Sequence, residues 1–492
     1  MLRKIDPFLE LILAILLVGI LIISILVFRT SNPNVIDADN LPAFPGAQGF
    51  GSNTLGGRFG RILVVTNLND TTDVNSSMYP GSLRWALESV WASDSIESKN
   101  QGRIIVFKVG GTITLADALV MKQPYVTLAG QTAPGGGIMI KGDELEIATH
   151  DVIVRGVRVR VGDEGQPSCC RDGIGVSTNH ANSDVYNIIV DHSSVSWAID
   201  ENMSTWKDPS LFYSLHDITF QWNILSEGLQ NSIHIDEGAM GYDPHSMGMI
   251  LGQDGYNISV HHNLFSHNWG RNPRISGILN AEIINNVIYG WNNAGVEFSE
   301  DMSTSHILDN YFKTDGGFRH VEISIPELLN TNSGIFMKGN LTDDPDINSQ
   351  LFTSIIENPG RFAISLEELF MPSNIDRKTA DVAYTWVLNY AGAITPVRDD
   401  VDRRIIEEVR TGTGMIIDSQ DQVGGWPDIQ GGNYPADDDN DGIPNDWELA
   451  HNLNPNDFTD ASNYNIRAPS GYTWVEEYIN LLIPRYRTTA NP

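Results

Sequence analysis

Ile218-Thr-Phe220-Gln-Trp-Asn223-Ile, Ile258-Ser-Val260-His-His-Asn263-Leu and Ile283-Ile-Asn-Asn286-Val share one short pattern, alternating apolar residues closed by an asparagine. Two further copies end at Asn310 (Ile307-Leu-Asp-Asn310-Tyr) and Asn340 (Phe336-Met-Lys-Gly-Asn340-Leu). The asparagines follow one another at steps of 40, 23, 24 and 30 residues. A short, nearly constant step with occasional insertions is the signature of a solenoid, with one supersecondary unit per coil and the insertions displayed as loops. Apolar alternation makes each unit a strand and argues against a helical repeat. Asparagine is common in turns, but five in register predict a ladder of amides that satisfies turn backbone from coil to coil. The fold class is all-β, a parallel β-helix.

Outward from this stretch, further strands are expected at Ile104-Ile-Val-Phe107, Tyr125-Val-Thr-Leu128, Val152-Ile-Val154 and Ile188-Ile-Val190. Ser82-Leu-Arg-Trp-Ala-Leu87 suits a helical cap over the open end of the solenoid. Beyond Thr342 the repeat breaks. Thr379 to Ala391 and Val401 to Val409 read as helices, the second with Val401, Ile405, Ile406 and Val409 on one face, packed along the side of the solenoid. The expected organisation is an N-terminal segment (1–29), a polar linker (30–41), the β-helix (42–345), a helical and loop segment (346–434) and a small C-terminal unit (435–492).

Charge and composition narrow the function. The 492 residues carry a formal net charge of −31, which excludes nucleic-acid binding through phosphate neutralisation. An acidic polymer would be repelled as well, unless cations bridged it to the protein. The two cysteines, Cys169 and Cys170, are adjacent and cannot staple distant coils. A vicinal disulfide and two ordinary buried thiols are both compatible with that spacing; the thiols are the expectation. Residues 8–28 form an apolar run long enough to span a bilayer, preceded by Arg3 and Lys4. No small-residue cleavage site follows directly, so an uncleaved signal-anchor is favoured over a cleaved signal, and either exports the body of the protein. Asn69, Asn75, Asn202, Asn257 and Asn340 stand in glycosylation sequons.

The C-terminal unit holds a complete D-x-D-x-D-G-x5-E loop from Asp437 to Glu448. Calcium takes six to eight oxygens. Asp437, Asp439, Asp441, the Ile443 carbonyl and a bidentate Glu448 would supply most of them, with Asn445 direct or through water, and Gly442 would allow the sharp turn.

Four other segments carry chemistry: Arg171-Asp172-Gly-Ile-Gly-Val176, Asp191-His192 through Asp200-Glu201, His245-Ser-Met-Gly-Met-Ile-Leu-Gly252 and Asn268-Trp-Gly-Arg271-Asn-Pro273-Arg274. Each borders a strand, and coils stack about 4.8 Å apart, so Asp172 and Asp200 could share a cation while Arg271 and Arg274 face the same groove. Asp200 and Glu201, adjacent on a strand, would point to opposite faces. That fits poorly with the paired carboxylates of a glycoside hydrolase.

These segments resemble the pectate lyases of polysaccharide lyase family one, and among them the fungal-type pectate lyase C branch. The resemblance is carried also by Phe44-Pro-Gly-Ala-Gln-Gly-Phe-Gly51, Val65-Thr-Asn-Leu-Asn-Asp70, Gly81-Ser-Leu-Arg84, Ala129-Gly-Gln-Thr-Ala-Pro-Gly135, Ser226-Glu-Gly228, Asp439-Asn-Asp-Gly-Ile-Pro444 and Ser470-Gly-Tyr472, in order from about Leu41 to the C-terminus. It implies a right-handed β-helix and calcium-dependent β-elimination of de-esterified α-1,4-galacturonan by an extracellular enzyme. It further implies groove calcium on Asp172, Asp200 and Glu201, substrate contacts from Arg274, His245 and His192, and Arg271 as the base that removes the C5 proton. Pure carboxylate binding is the alternative for Arg271. The chain departs from the family pattern at Ser204, where a second acidic ligand is usual, and at Met247, where a substrate lysine is common. At Ser276, a farther arginine is missing. Another uronate polymer, or a non-catalytic polysaccharide-binding solenoid, therefore stays open. A monomer is expected.

Overall fold

The computed structural model describes residues 41–88, 102–235, 244–315, 321–326, 330–343, 364–365 and 367–484. Their strands form three sheets, of eleven, nine and eight strands, with parallel pairing between neighbouring coils. The chain visits the sheets in turn. One coil runs through Val185–Asp191 in the eleven-stranded sheet, Ser194–Ser196 in the nine-stranded sheet and Glu201–Trp206 in the eight-stranded sheet. This is the parallel β-helix expected from the repeat.

Apolar alternation explains the register. Val154, Val190, Phe220, Val260, Ile283 and Ile307 lie directly beside one another on six successive coils, and all six are fully buried. A one-residue slip on any coil would turn its apolar set outward, so the column pins the stacking. The asparagines form a second, polar column. The Nδ2 of Asn223, Asn263, Asn286 and Asn310 donates to the Oδ1 of the next asparagine at 3.0, 3.1, 3.0 and 2.9 Å. The same Oδ1 atoms accept the backbone N–H of the preceding asparagine. The residue before each asparagine turns the corner in the left-handed region: Trp222, His262, Asn285, Asp309 and Gly339 all have φ between 53° and 73°. His192 is the equivalent corner residue one coil earlier, with φ 47°.

On the outside of the solenoid, apolar residues on two faces are covered. The helices Ala380–Tyr390 and Asp400–Thr411 bury Val387, Leu388, Val401, Ile405, Ile406 and Val409 against Trp197, Ile224, Leu264, Val287 and Tyr289 on the outside of the nine-stranded sheet. Fully buried Arg160 reaches Asp399 at 2.9 Å and Asp402 at 2.8 Å, fastening the second helix by its N-terminus. The C-terminal unit packs Ile443, Val475 and Ile479 against Ile104, Val106 and Ala129 of the eleven-stranded sheet. The cap helix Leu83–Glu88 seals Leu83 and Leu87 onto the first coils. No such apolar cluster among the described residues covers the outside of the eight-stranded sheet. One outward row of that face carries Glu146, Ser204, Ile250, Arg274 and Glu297 in register.

Several expectations change. Cys169 and Cys170 are joined in a vicinal disulfide and are not buried thiols. The peptide around them lies in a surface loop after Gly162, where nothing encloses a thiol. Asn202 and Asn340 are buried and their amides are spent inside the solenoid, so these two sequons are closed to glycosylation in the folded chain. The ladder continues to Ile364–Ser365, which pairs with Gly334–Lys338. The apolar run over residues 8–28 lies outside the described residues; among those described, no helix is long and apolar enough to cross a membrane.

Candidate active site

The open eight-stranded face gathers acidic groups from successive coils. Asp172 stands just before the strand Ile174–Ser177, and Asp200 just before Glu201–Trp206, which pairs with it. Asp172, Asp200 and Glu201 each place a carboxylate oxygen within 4.8 Å of the others. Asp172 is clamped onto the next coil, its Oδ1 accepting from the Glu201 N–H at 3.0 Å and its Oδ2 from the Ser204 hydroxyl. The expected opposition of Asp200 and Glu201 does not hold. Asp200 sits in the bend before the strand begins, where strict alternation does not apply, and both carboxylates turn to one side.

A fourth carboxylate went unnoticed in the sequence. Glu144, half-buried just before the strand Leu145–Ile147 on the preceding coil, accepts the Asp172 N–H at 3.4 Å. It lies in no motif, and only the coil register brings it there.

Crowding makes these groups hard to ionise. Burial, and then the charges of Asp200 and Glu201, raise the Asp172 pKa well above the carboxylate range. Burial and Asp200 push Glu201 up to about 8. Burial and Asp172 push Glu144 up to about 9. Neutralising them takes either protons or a cation, and an all-oxygen donor set suits a hard divalent ion.

Arg271 enters from two coils beyond. Gly270 bridges Met247, and Met247 pairs with Glu201, so the turn after Gly270 delivers Arg271 over the cluster. Its backbone is left-handed, φ 54°, and its N–H is held by Glu297 at 2.8 Å. Its Nη1 donates to Glu201 Oε1. Burial by itself would lower the Arg271 pKa, but Glu201, Asp200 and Glu297 outweigh it and raise the pKa above the ordinary arginine value. Arg274 begins the strand Arg274–Ser276, between Ile250 and Glu297 in register, and its buried Nε meets no hydrogen-bond partner among the described residues. The site thus combines a carboxylate cluster with two arginines along one groove.

The two histidines expected to touch substrate divide. His245 is at the cluster, Nε2 2.7 Å from Asp200 Oδ1, with its ring stacked on His234 at 4.0 Å. His234 carried no motif and was missed. His192 is elsewhere. As a corner residue between the eleven- and nine-stranded sheets it is buried, bonded to Asp191 at 2.7 Å and stacked beneath Trp222. Its Asp-His motif serves a turn, not the groove.

The C-terminal loop folds as a separate acidic nest. Asp437, Asp439 and Asp441 converge, as do Asp441, Glu448 and Asp460. Asp437 caps the loop backbone, accepting from Asn440 N at 2.7 Å and Gly442 N at 3.1 Å. Gly442 needs its left-handed φ of 85°, and a side chain there would press on Val106. Ile443 donates its N–H to Asp441 at 2.8 Å and buries its side chain against the solenoid. Asn445 is drawn off to accept from Asp438 N at 2.9 Å. Asp460 takes the place alongside the acidic residues instead, brought in by the turn after His451, beyond the reach of the loop motif. One oxygen each of Asp439, Asp441 and Asp460 and both of Glu448 are buried without a hydrogen-bond partner. Five orphaned acidic oxygens, on two groups of residues that share Asp441, fit a calcium ion.

The chain is similar to known proteins over most of its length. A protein from Aspergillus flavus described as a probable pectate lyase C is 34% identical over 453 residues, covering 90% of this chain and 94% of that one. Proteins of the same description from Emericella nidulans and Aspergillus terreus are 34% and 35% identical, covering 90% of this chain and 93% and 94% of their own. Among solved structures, jun a 1, the major allergen from cedar pollen, has the same fold with a TM-score of 0.50 at 18% identity, covering 71% of this chain and 93% of that one. No family model matches the chain.

Proposed function

The chain belongs to the pectate lyase family, and from that premise we propose that it cleaves de-esterified α-1,4-galacturonan by calcium-dependent β-elimination, releasing unsaturated oligogalacturonides outside the cell. The observation that carries this reading is the meeting of Asp172, Asp200 and Glu201 with Arg271 on a face of the solenoid that no apolar cluster covers among the described residues. A chain of net charge −31 needs a bridging cation to hold a polyanion, and this cluster is where the acidic groups of the groove converge.

Calcium bound there would supply Lewis acidity toward a uronate carboxylate and so loosen the C5 proton beside it. The remaining steps belong to the chain. Arg274, half-buried on the same face, would offer its guanidinium to a second uronate carboxylate along the groove. Arg271 stands over the cluster as the base. Arginine is a poor base in water, with a pKa above about 12. Here burial pulls its pKa down, and Glu201 is the first of the charges that pull it up. With Glu201 among the ligands of a bound cation, that opposition would weaken, and the neutral guanidine would take the C5 proton. The electron pair from C5–H then forms the C4–C5 double bond as the glycosidic C4–O bond breaks, and the departing oxygen takes a proton from water to become the hydroxyl of the released chain.

Ser204 gives the second reading an observation of its own. It stands where the family usually has an acid and donates to Asp172, so the groove has one charge fewer. A weaker calcium site follows, completed by substrate, and a different uronan could complete it better. Absorbance of the unsaturated product, followed on a panel of uronans with and without chelator, tests the proposal. Product from polygalacturonate that disappears on chelation supports it. Product from another uronan alone redirects the specificity, and binding without product from any of them overturns the catalytic reading.

A further inference from the structure

Asp200 faces two clusters at once. On one side are Asp172 and Glu201; on the other are His234 and His245, whose Nε2 atoms lie 4.0 and 2.7 Å from the same Asp200 Oδ1. Both imidazoles are buried and stacked at 4.0 Å with their planes 19° apart. Both are also anchored through the backbone. His234 is bridged to Ser168, with Ser168 N bonded to Ile233 O at 3.3 Å and Ile235 N to Ser168 O at 3.2 Å. His245 N donates to Gln230 O at 2.8 Å. Ordinary core histidines pair with a backbone carbonyl or one acid; two converging on a single carboxylate at the rim of a groove form a metal-ligand set.

We propose that Asp200, His234 and His245 form a second cation site, selective for a nitrogen-preferring first-row divalent ion such as zinc, cobalt or nickel, and that occupancy of this site inhibits the lyase by taking Asp200 out of the groove calcium site. Three protein ligands of this type are typical of a zinc centre with one open position. Ligand atoms on a tetrahedral ion with bonds of about 2.0–2.2 Å sit roughly 3.3–3.5 Å apart. The observed 2.7 and 4.0 Å bracket that spacing, and one ligand atom from each of the three residues lies within 4.8 Å of the other two. Imidazole nitrogen draws borderline ions, whereas calcium takes oxygen, so the two clusters sort cations by chemistry while competing for one carboxylate. Reciprocal coupling follows: calcium in the groove should weaken the transition metal by the same factor that the metal weakens calcium.

This inhibition rests on the lyase reading, but the site itself does not, and the experiment separates them. Cobalt is titrated into the calcium-free full-length chain and into His234→Gln and His234→Asn, following the visible absorption of nitrogen-ligated cobalt. Zinc is then tested for its effect on the calcium concentration giving half-maximal product formation. The expected result is cobalt binding by the wild-type chain that weakens at least tenfold in whichever variant melts like the wild type. Zinc should raise the wild-type calcium requirement at least tenfold, and the variant's little. Identical cobalt isotherms in wild type and variants overturn the site. Zinc that binds through His234 yet leaves the calcium requirement unchanged overturns the sharing of Asp200. Histidine-dependent cobalt binding in a chain that cleaves no uronan leaves the site standing and removes the lyase reading.

Discussion

Arg271 and Glu201 hold each other in the described state, and that pair sets what single substitutions should do. Arg271→Ala removes the proposed base from a partly exposed groove position and touches none of the buried column, so the fold should survive. Product formation should fall by about a hundredfold or more, the usual scale for a lost general base. A loss of less than about tenfold, some 1.4 kcal/mol of barrier, would show that Arg271 only binds carboxylate. Asp200→Ala deletes a ligand and leaves the base. It should raise the calcium needed for half-maximal rate while the rate at saturating calcium stays much higher than in Arg271→Ala; an unchanged calcium curve would remove Asp200 from the ligand set. The sequence showed Asp172, Asp200 and Arg271 because they sit in motifs next to strands. It hid Glu144 and His234, whose place at the site depends on coil register and on a backbone bridge to Ser168. His192 misled because an Asp-His pair looks the same in a corner as in a groove.

At the level of the element, the asparagine ladder is the device that makes coils of unequal length stack. Each internal asparagine accepts two N–H groups from the coil before and donates to a carbonyl, all at buried positions. Stranding buried groups costs about 1–3 kcal/mol for each. Asn286→Ala should therefore lower stability by roughly 3 kcal/mol or more, read as a shifted denaturation midpoint. Asn340→Ala, at the end of the described ladder, should cost somewhat less, because its amide makes three of these bonds where that of Asn286 makes four. Losses below about 1 kcal/mol at both positions would mean that the ladder acts through turn propensity and not through the stacked bonds. The repeat was legible because a period-two apolar pattern and a recurring turn residue are local signals. The helices at Ala380–Tyr390 and Asp400–Thr411 were legible from their own periodicity. Which flank they cover was not, since Arg160 and Asp399 meet across 239 residues of chain.

Across the whole molecule, the two proposed calcium sites should separate in affinity and in consequence. The groove cluster has Ser204 donating to Asp172 and, on the proposed reading, would be completed by substrate, whereas the C-terminal nest gathers Asp439, Asp441, Glu448 and Asp460 with five oxygens that have no hydrogen-bond partner among the described residues. Mild chelation should stop catalysis first and loosen the C-terminal unit only later. Proton linkage gives an independent reading of the nest. Without calcium, burial and then neighbouring charges, those of Asp439 and Glu448, push Asp441 up to about 8. Burial and Asp439 push Glu448 up to about 7. Their unfolded values are near 4. The folded chain thus binds more protons than the unfolded chain between those limits, so this contribution to stability is fully present below about pH 4 and is lost as pH rises through 7 to 8. In chelator, the melting temperature of the chain should fall as pH is raised from about 5 to 9, and saturating calcium should flatten that slope. Glu448→Gln removes one of the two charges. It should shrink the slope in chelator and also shrink the rise in melting temperature on adding calcium, with little loss of turnover at saturating calcium. If Glu448→Gln instead abolishes product formation while the melting curves with and without calcium match those of the wild type, the nest is serving the chemistry and not the fold.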